Sequence, residues 1–348
     1  MEKLKAQFPN SRIILTFFSP SGYEIRKNYQ GADWVFYMPM DSAANAKRFF
    51  DVVDPSLVVF VKYDYWYYYL TACKKRNIPL LMISVIFRKD QPFFKWYGGL
   101  HKKMLDCFTC FFVQDESSQK LLQSLQIKNV LIAGDTRFDR VAEIAASFQP
   151  IEAVEKFCGN STVLVAGSTW PADEKLIKEA ISSFPDLKLI IAPHEIHKEH
   201  IKQLRSTFPN AMLFSELITG NQQPATSNHL IIDNIGLLSR LYYYATITYV
   251  GGGFNKGIHN TLEAAVYGKP VIIGPVYKKF KEAVELVETG SGIVVTDGSS
   301  LIAALQLLSE NKKEYDRRSK NSFDFVQQKR GATGIIVNYI QENLRFTN

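Results

Sequence analysis

Short apolar runs recur along this chain at spacings that leave room for a helix between them. They are RIILTF (12–17), WVFY (34–37), LVVFV (57–61), LLMIS (80–84), CFFV (110–113) and VLIAG (130–134), then TVLVAG (162–167), LIIAP (189–193), HLIID (229–233), TITYV (246–250), PVIIG (270–274) and GIVVT (292–296). Runs that stay apolar instead of alternating suit strands covered on both faces, and helix-length spacers between strands imply βαβ units and parallel sheets. The class is therefore α/β. Domains usually hold about 100–200 residues, so 348 residues predict two. The break is read near 134–161, where GDTRFDRV enters a helical segment, QP interrupts it and CGNST precedes the next strand. The expected division is residues 1–145, residues 146–325 and a helical tail at 326–348, interrupted at Gly331.

The opening residues, MEKLKAQFPNSRIILTF, read as helix, turn, strand. A sheet domain that opens in this way either starts on a helix or lacks the strand that would come before. With 46% hydrophobic and 22% charged residues the chain can fill two cores. Its net charge of +7 suits anionic ligands, a membrane surface or nucleic acid without choosing among them. No apolar run reaches the roughly 18 residues of a membrane span, and no signal-peptide pattern opens the chain. Four cysteines are too few for a disulfide framework. Cys107 and Cys110 form C-x-x-C, but no second Cys/His pair has zinc spacing, so buried apolar thiols are expected there.

GGGFNKGIHNTLEAAVYGKPVIIGP (251–275) joins a predicted strand at 246–250 to a predicted helix at 259–267. Glycine permits positive φ and close backbone approach, and a helix start presents unpaired amides that favour an anion. The glycine amides are therefore expected to stand open to a phosphate, with a tight structural turn as the alternative. Glu263 lies one turn after Asn260, on the same helical face, where a carboxylate can accept both hydroxyls of a ribose. The other strand-end loops of this half are AGSTWPADE, APHEIHKEH and DNIGLL. In open α/β sheets ligands bind beyond the carboxyl ends of strands, so these loops are expected to meet one nucleotide.

Taken in order, these stretches resemble the Kdo transferases, lipopolysaccharide enzymes that move 3-deoxy-D-manno-octulosonic acid (Kdo) from CMP-Kdo to lipid A precursor. The glycine stretch is similar to the family's GGS…GGHNPLEPA…GKPV…GP. AGSTW (166–170) resembles AGSTH, and DNIGLLSRLY (233–242) resembles DTMGEL…LY. TFFSPSG (16–22) resembles TTTTPTG, and KYDYWY (62–67) resembles ETELWP; the likeness runs from about residue 11 to 310. The resemblance implies a GT-B fold, two Rossmann-like domains with parallel sheets facing a central cleft. It implies that Asn234, Ile235 and Gly236 hold the cytosine and that Glu263 binds the ribose. Gly253, Gly257, Ile258, His259 and Asn260 would surround the phosphate and the Kdo carboxylate, with Ser168 and Thr169 nearby. Lys256 stands where the family commonly has Arg, and Asp64 matches an acidic residue of the N-terminal half.

Three departures bear on the chemistry. The family's APRHPER is APHEIHK here, which puts His194 in place of a phosphate-contacting Arg. A neutral imidazole holds an anion less well than a guanidinium, so Lys256 or Lys198 would compensate. Asp64 is shorter than the family's Glu. The family also begins with a membrane-anchoring helix and a first strand ending in an ASLGE loop, whose Glu is the general base; neither precedes MEKLKAQFPN. The resemblance implies inverting, metal-independent transfer with no cofactor. The protein must stabilise the departing phosphate and deprotonate the acceptor hydroxyl. Asp64 is the weak remaining candidate for the base. The implied setting is the cytoplasmic face of the bacterial inner membrane, peripheral, with the chain soluble as given, and no nucleic-acid partner is expected.

Three other patterns have structural explanations beside functional ones. His194, His197 and His200 form H-x-x-H-x-x-H, but the six-residue separation carries the third ligand off the shared helix face. YDYWYYYL (63–70) reads first as core and second as a sugar or lipid platform. QPFFKWYGGLHKKM (91–104) mixes aromatics with lysines, as a membrane-surface segment or an ordinary basic helix would. The functional alternatives to a Kdo transferase are a non-catalytic nucleotide- or lipid-binding remnant and another GT-B nucleotide-sugar transferase or UDP-sugar epimerase.

Overall fold

The computed structural model of the chain describes residues 1–220 and 227–344. The chain divides into two compact units, Met1–Asp139 with Arg330–Asn348, and Arg140–Lys329. The segment expected as a tail thus contributes its last part to the first unit; residues 345–348 lie outside the described residues. Every predicted apolar run contains a strand, and every strand pairing is parallel. The α/β class with parallel sheets read from the sequence is the fold observed in each unit.

In the first unit β1 (Ile14–Phe17) and β2 (Trp34–Tyr37) form a sheet of their own. A second sheet runs in chain order through β3 (Val58–Val61), β4 (Leu80–Val85), β5 (Cys110–Val113) and β6 (Val130–Ile132). One face of this larger sheet packs Phe60, Met82 and Phe111 against Phe50, Tyr69, Leu70 and Leu122 from helices Ala43–Val53, Tyr67–Lys75 and Glu116–Ser124. The opposite face packs Leu81, Cys110 and Phe112 against Ile336 and Ile340 of helix Ala332–Asn343. The start of that helix is fixed by buried Asp139, which accepts from the amides of Gly331 and Thr333 at 2.7 Å each. The aromatic run 63–70 divides accordingly: Tyr69 and Leu70 are fully buried, while Tyr63 and Tyr68 are exposed.

The carboxyl ends of β3 to β6 gather a polar cluster around Asp135, which is 2% exposed. Lys62 Nζ lies 3.3 Å from its carboxylate, Arg137 Nε donates to it at 2.9 Å and Gln114 Nε2 at 3.1 Å. Burial raises the Asp135 pKa, but the Arg137 hydrogen bond and the charges of Arg137 and Lys62 outweigh it and hold the group below the ordinary range.

Among the described residues the second unit holds one seven-stranded sheet. Its strands are β7 (Val163–Thr169), β8 (Lys188–Pro193), β9 (Met212–Leu213), β10 (His229–Ile231), β11 (Ile247–Val250), β12 (Val271–Ile273) and β13 (Gly292–Val294). The spatial order is β13-β12-β11-β7-β8-β10-β9. After β7 the chain winds to one side through β8 to β10; at β11 it returns and winds to the other. The neighbours β7 and β11 therefore flank a topological switch point, where connections leave in opposite directions and open a crevice at the carboxyl ends. Leu164, Val165, Leu189, Ile190, Tyr249 and Ile272 are fully buried, as strands covered by helices on both faces should be.

All four cysteines are free and buried. Burial pushes the Cys73 thiol up to about 12 and those of Cys110 and Cys158 up to about 11, and it raises Cys107 as well. The C-x-x-C pair is thus core material beside β5. No helix among the described residues is long and apolar enough to cross a membrane.

Candidate functional site

The crevice of the second unit is built from the ends of β7 and β11. At the end of β7 the pairing with β8 slips between Gly167 and Thr169, and Ser168 takes a positive φ of 54°. A left-handed serine costs of order 1–3 kcal/mol and persists only where its surroundings hold it, as ligand clamps often do. Trp170 and Pro171 then start helix Pro171–Ile181, whose third residue, Asp173, reaches back to accept from the Trp170 amide at 2.9 Å. Asp173 is 1% exposed and accepts twice more, from Tyr249 Oη at 2.7 Å and from the Gly252 amide at 2.9 Å. One buried carboxylate thus ties the end of β7, the middle of β11 and the glycine loop together. Next to it Glu174 accepts from Thr169 Oγ1 and faces His200 Nε2, both at 3.0 Å.

The glycine loop is closed by its own chain. The amides of Gly251, Gly257, Ile258 and His259 donate to Gly167, Gly252, Val276 and Gly251 carbonyls, and that of Gly252 to Asp173. The expectation that the glycine amides stand open is corrected on this point: the loop is a folded knot that satisfies most of its own donors. The glycines serve close packing. A Cβ on Gly253 would stand 2.6 Å from Gly274 Cα, and Gly257 has φ 129°. Among the described residues no acceptor meets the amides of Gly253, Asn260 and Thr261. The hydroxyl of Thr261 is likewise buried without a partner. The following helix is shorter than read from the sequence, Leu262–Ala265.

Glu263 is largely buried, and Asn260 Nδ2 donates to its Oε1 at 2.9 Å. Burial raises the Glu263 carboxyl above its ordinary pKa, and the Asn260 bond offsets part of that. The same-face pair read at i, i+3 is therefore real. His259 stacks on His194, ring centroids 4.3 Å apart, and its Nε2 accepts from Trp170 Nε1 at 3.1 Å. Burial, then the neighbouring His194, lowers the His259 pKa to about 4, so its ring is neutral at physiological pH.

Other predicted residues fall as follows. Asn234, Ile235 and Gly236 form an exposed loop after β10, with Ile235 78% exposed and Gly236 at φ 94°. Lys256 is exposed in the glycine loop, and its carbonyl accepts from Lys279 Nζ. Two expectations are corrected. Thr169 is fully buried with its hydroxyl turned to Glu174, and Ile258 is 3% exposed, so neither side chain faces a ligand. Ser168 remains half-buried at the crevice. The three histidines of H-x-x-H-x-x-H part company: His194 stacks on Trp170 and His259, His197 caps helix Lys198–Thr207, and His200 turns inward to Glu174. Among the described residues no group of three or more His, Cys, Asp or Glu could hold a metal. In the first unit Asp64 follows β3 at an exposed position, where partial desolvation raises its carboxyl pKa.

Trp170 and Asp173 were not foreseen as site residues. Proline at the first helical position with an acid at the third is a readable helix-start signal. The reach of Asp173 to Gly252, 79 residues on, has no local trace.

Residues 1–140 match the family model for 3-deoxy-D-manno-octulosonic-acid transferase (kdotransferase). The chain is similar to the 3-deoxy-D-manno-octulosonic acid transferase of Rickettsia felis, 24% identical over 94% of this chain and 72% of that one. It is also similar to the enzyme of the same name from Aquifex aeolicus, 27% identical over 89% of this chain and 82% of that one. Among solved structures, UDP-GlcNAc 2-epimerase from Neisseria meningitidis bound to UDP-GlcNAc superposes with a TM-score of 0.66 at 17% identity, covering 98% of this chain and 94% of that one. That likeness concerns the fold.

Proposed function

We propose that this chain, whose residues 1–140 match the Kdo transferase model, is a Kdo transferase that moves Kdo from CMP-Kdo to a lipid A precursor. The homologues over 89–94% of the chain support a Kdo glycosyltransferase role in general. The finer reading assigns the donor to the crevice of the second unit. Asn234, Ile235 and Gly236 take the cytosine, and Glu263 takes the ribose hydroxyls. The phosphate and the Kdo carboxylate lie among Ser168, Lys256, Gly257, His259 and Asn260, with the amides of Gly253, Asn260 and Thr261 as donors. His194 lies over this site as a ring rather than as a charged fork.

The observation that carries this reading is Glu263. A carboxylate held mostly out of water, with one oxygen steadied by Asn260, costs stability unless its remaining lone pairs meet donors. Two ribose hydroxyls supply them. Glu263→Ala should weaken CMP binding by about 1–3 kcal/mol in calorimetric titration, the scale of a lost charge-assisted hydrogen bond. Equal affinity for CMP in the variant would remove the ribose role, and preference for UDP over CMP would favour a different nucleotide-sugar enzyme.

By the resemblance the transfer inverts the anomeric centre, and it needs no metal because the leaving CMP is a phosphate monoester that fixed donors and Lys256 can stabilise. Asp64, with its raised pKa, is the one acid carried over from the resemblance as a base in the first unit. The acceptor is lipid-borne. Trp96, Tyr97 and Leu100 are 96%, 59% and 55% exposed beside Lys95, Lys102 and Lys103, a mixture suited to the cytoplasmic surface of a membrane. A CMP-Kdo transfer assay with EDTA present tests donor, acceptor and metal independence together.

A further inference from the structure

By the resemblance to AGSTH and APRHPER, Trp170 stands where a histidine is implied and His194 where an arginine is implied. The structure brings these two substitutions together on His259. Trp170 Nε1 lies 3.1 Å from His259 Nε2, and the two rings are within 13° of parallel, with centroids 6.5 Å apart. That is an edge-to-edge arrangement in nearly one plane. His194 lies over both rings, stacked at 4.7 Å on Trp170 and 4.3 Å on His259. The His194 amide donates to Thr169 O at 2.9 Å, which fixes its place above the pair. The Trp170 amide is held by Asp173, which also holds the Gly252 amide.

An indole nitrogen can only donate. The imidazole nitrogen that meets it must therefore be the unprotonated one, and in a neutral ring the proton then sits on Nδ1. We propose that Trp170 is a positioning residue that locks His259 in its neutral, Nδ1-protonated tautomer, so that Nδ1–H is a fixed donor to the anionic group of the bound nucleotide. Free histidine favours the opposite tautomer, so the lock has something to overcome. No acceptor among the described residues meets Nδ1. A cationic histidine would lose the indole bond, which fits the low pKa of about 4. The substitutions thus act as a set: where an arginine would offer a charged fork, this chain offers an oriented neutral donor beneath a stacked ring. Only the identity of the ligand rests on the donor-site reading above; the tautomer is a property of the free protein.

The decisive experiment is a long-range proton–nitrogen correlation spectrum of the histidine side chains at neutral pH, on the full chain without ligand. His259, assigned by loss of its signals in His259→Asn, should show the Nδ1–H pattern. In Trp170→Phe, which keeps a ring under His194, the pattern should move toward Nε2–H. An Nε2–H pattern in the parent chain, or an unchanged pattern in Trp170→Phe, overturns the proposal. Thermal unfolding of Trp170→Phe shows whether the fold is kept; if it is not, a paired substitution decides. His259→Asn places an amide donor near the Nδ1 position and His259→Gln near the Nε2 position. His259→Asn should bind CMP roughly three- to tenfold more tightly than His259→Gln, the worth of one hydrogen bond. The reverse order overturns the proposal. Failure of the parent chain to bind CMP would sink the nucleotide reading, and the spectrum would still decide the tautomer.

Discussion

The two units are built from the same parts and differ in the continuity of their sheets. In the second, seven parallel strands form one sheet, and β7 is paired on both sides, with β8 and with β11. In the first, β1 pairs with β2 and β3 with β4, and among the described residues no strand joins β1 to β3. Burial follows pairing. The strands at the switch point in the second unit are buried except at Ser168, whereas β1 is half-buried throughout and Trp34, Phe36 and Tyr37 of β2 are 41–48% exposed. The comparison shows what a doubly paired central strand supplies. Besides a core it carries a loop, and in the second unit that loop presents Ser168 and Trp170 to the crevice. The first unit offers polar groups at its strand ends, from Lys62 to Arg137, around a buried aspartate.

The largest effect is expected for Asp173→Ala, which strips the acceptor from three donors in the second unit and should cost about 3–5 kcal/mol. Denaturant unfolding followed by hydrogen exchange would place that loss in β7 and β11 and spare β4 and β5. A loss shared by both sheets would mean that the units unfold together. Gly253→Ala should cost about 2–4 kcal/mol, because its Cβ would meet the Gly274 backbone, which cannot turn away as a side chain can. Amides of β1 and β2 should open with free energies at least about 2 kcal/mol below those of β7 and β8. Equal protection would show that half-exposed strands are held by something other than pairing.

A smaller effect concerns acid. The folded pKa of Asp135 is depressed, so its contribution is present above the unfolded value of about 3.9 and is lost as pH falls through the folded value. The first unit should therefore lose stability below about pH 4 with a slope that Asp135→Asn flattens. An unchanged slope would assign the acid sensitivity to other carboxylates.

Much of the fold was legible because buried parallel strands leave continuous apolar runs, and runs such as WVFY and CFFV coincide with β2 and β5 to the residue. Two-residue β9 left no run to read. The exposure of β2 was illegible too, because its composition is that of a buried strand; what it lacks is a covered neighbourhood. At the candidate site, Asn260 and Glu263 were readable from helical spacing, which is local. The role of the glycines was only half readable. Their number marks a loop where backbones crowd, but whether their amides face a ligand or their own carbonyls depends on chain paths set by Gly274 and Asp173. Trp170 against His259 depends on residues 89 apart, beyond any periodicity.

The sealed thiols have a practical consequence. Cys73, Cys107, Cys110 and Cys158 are all interior and resist ionisation, and a thiol reacts as its thiolate. The native protein is therefore a quiet background for maleimide chemistry. One cysteine placed on the surface of each unit would take a pair of dyes or spin labels cleanly, and the span between the halves could be followed in solution as nucleotide is added.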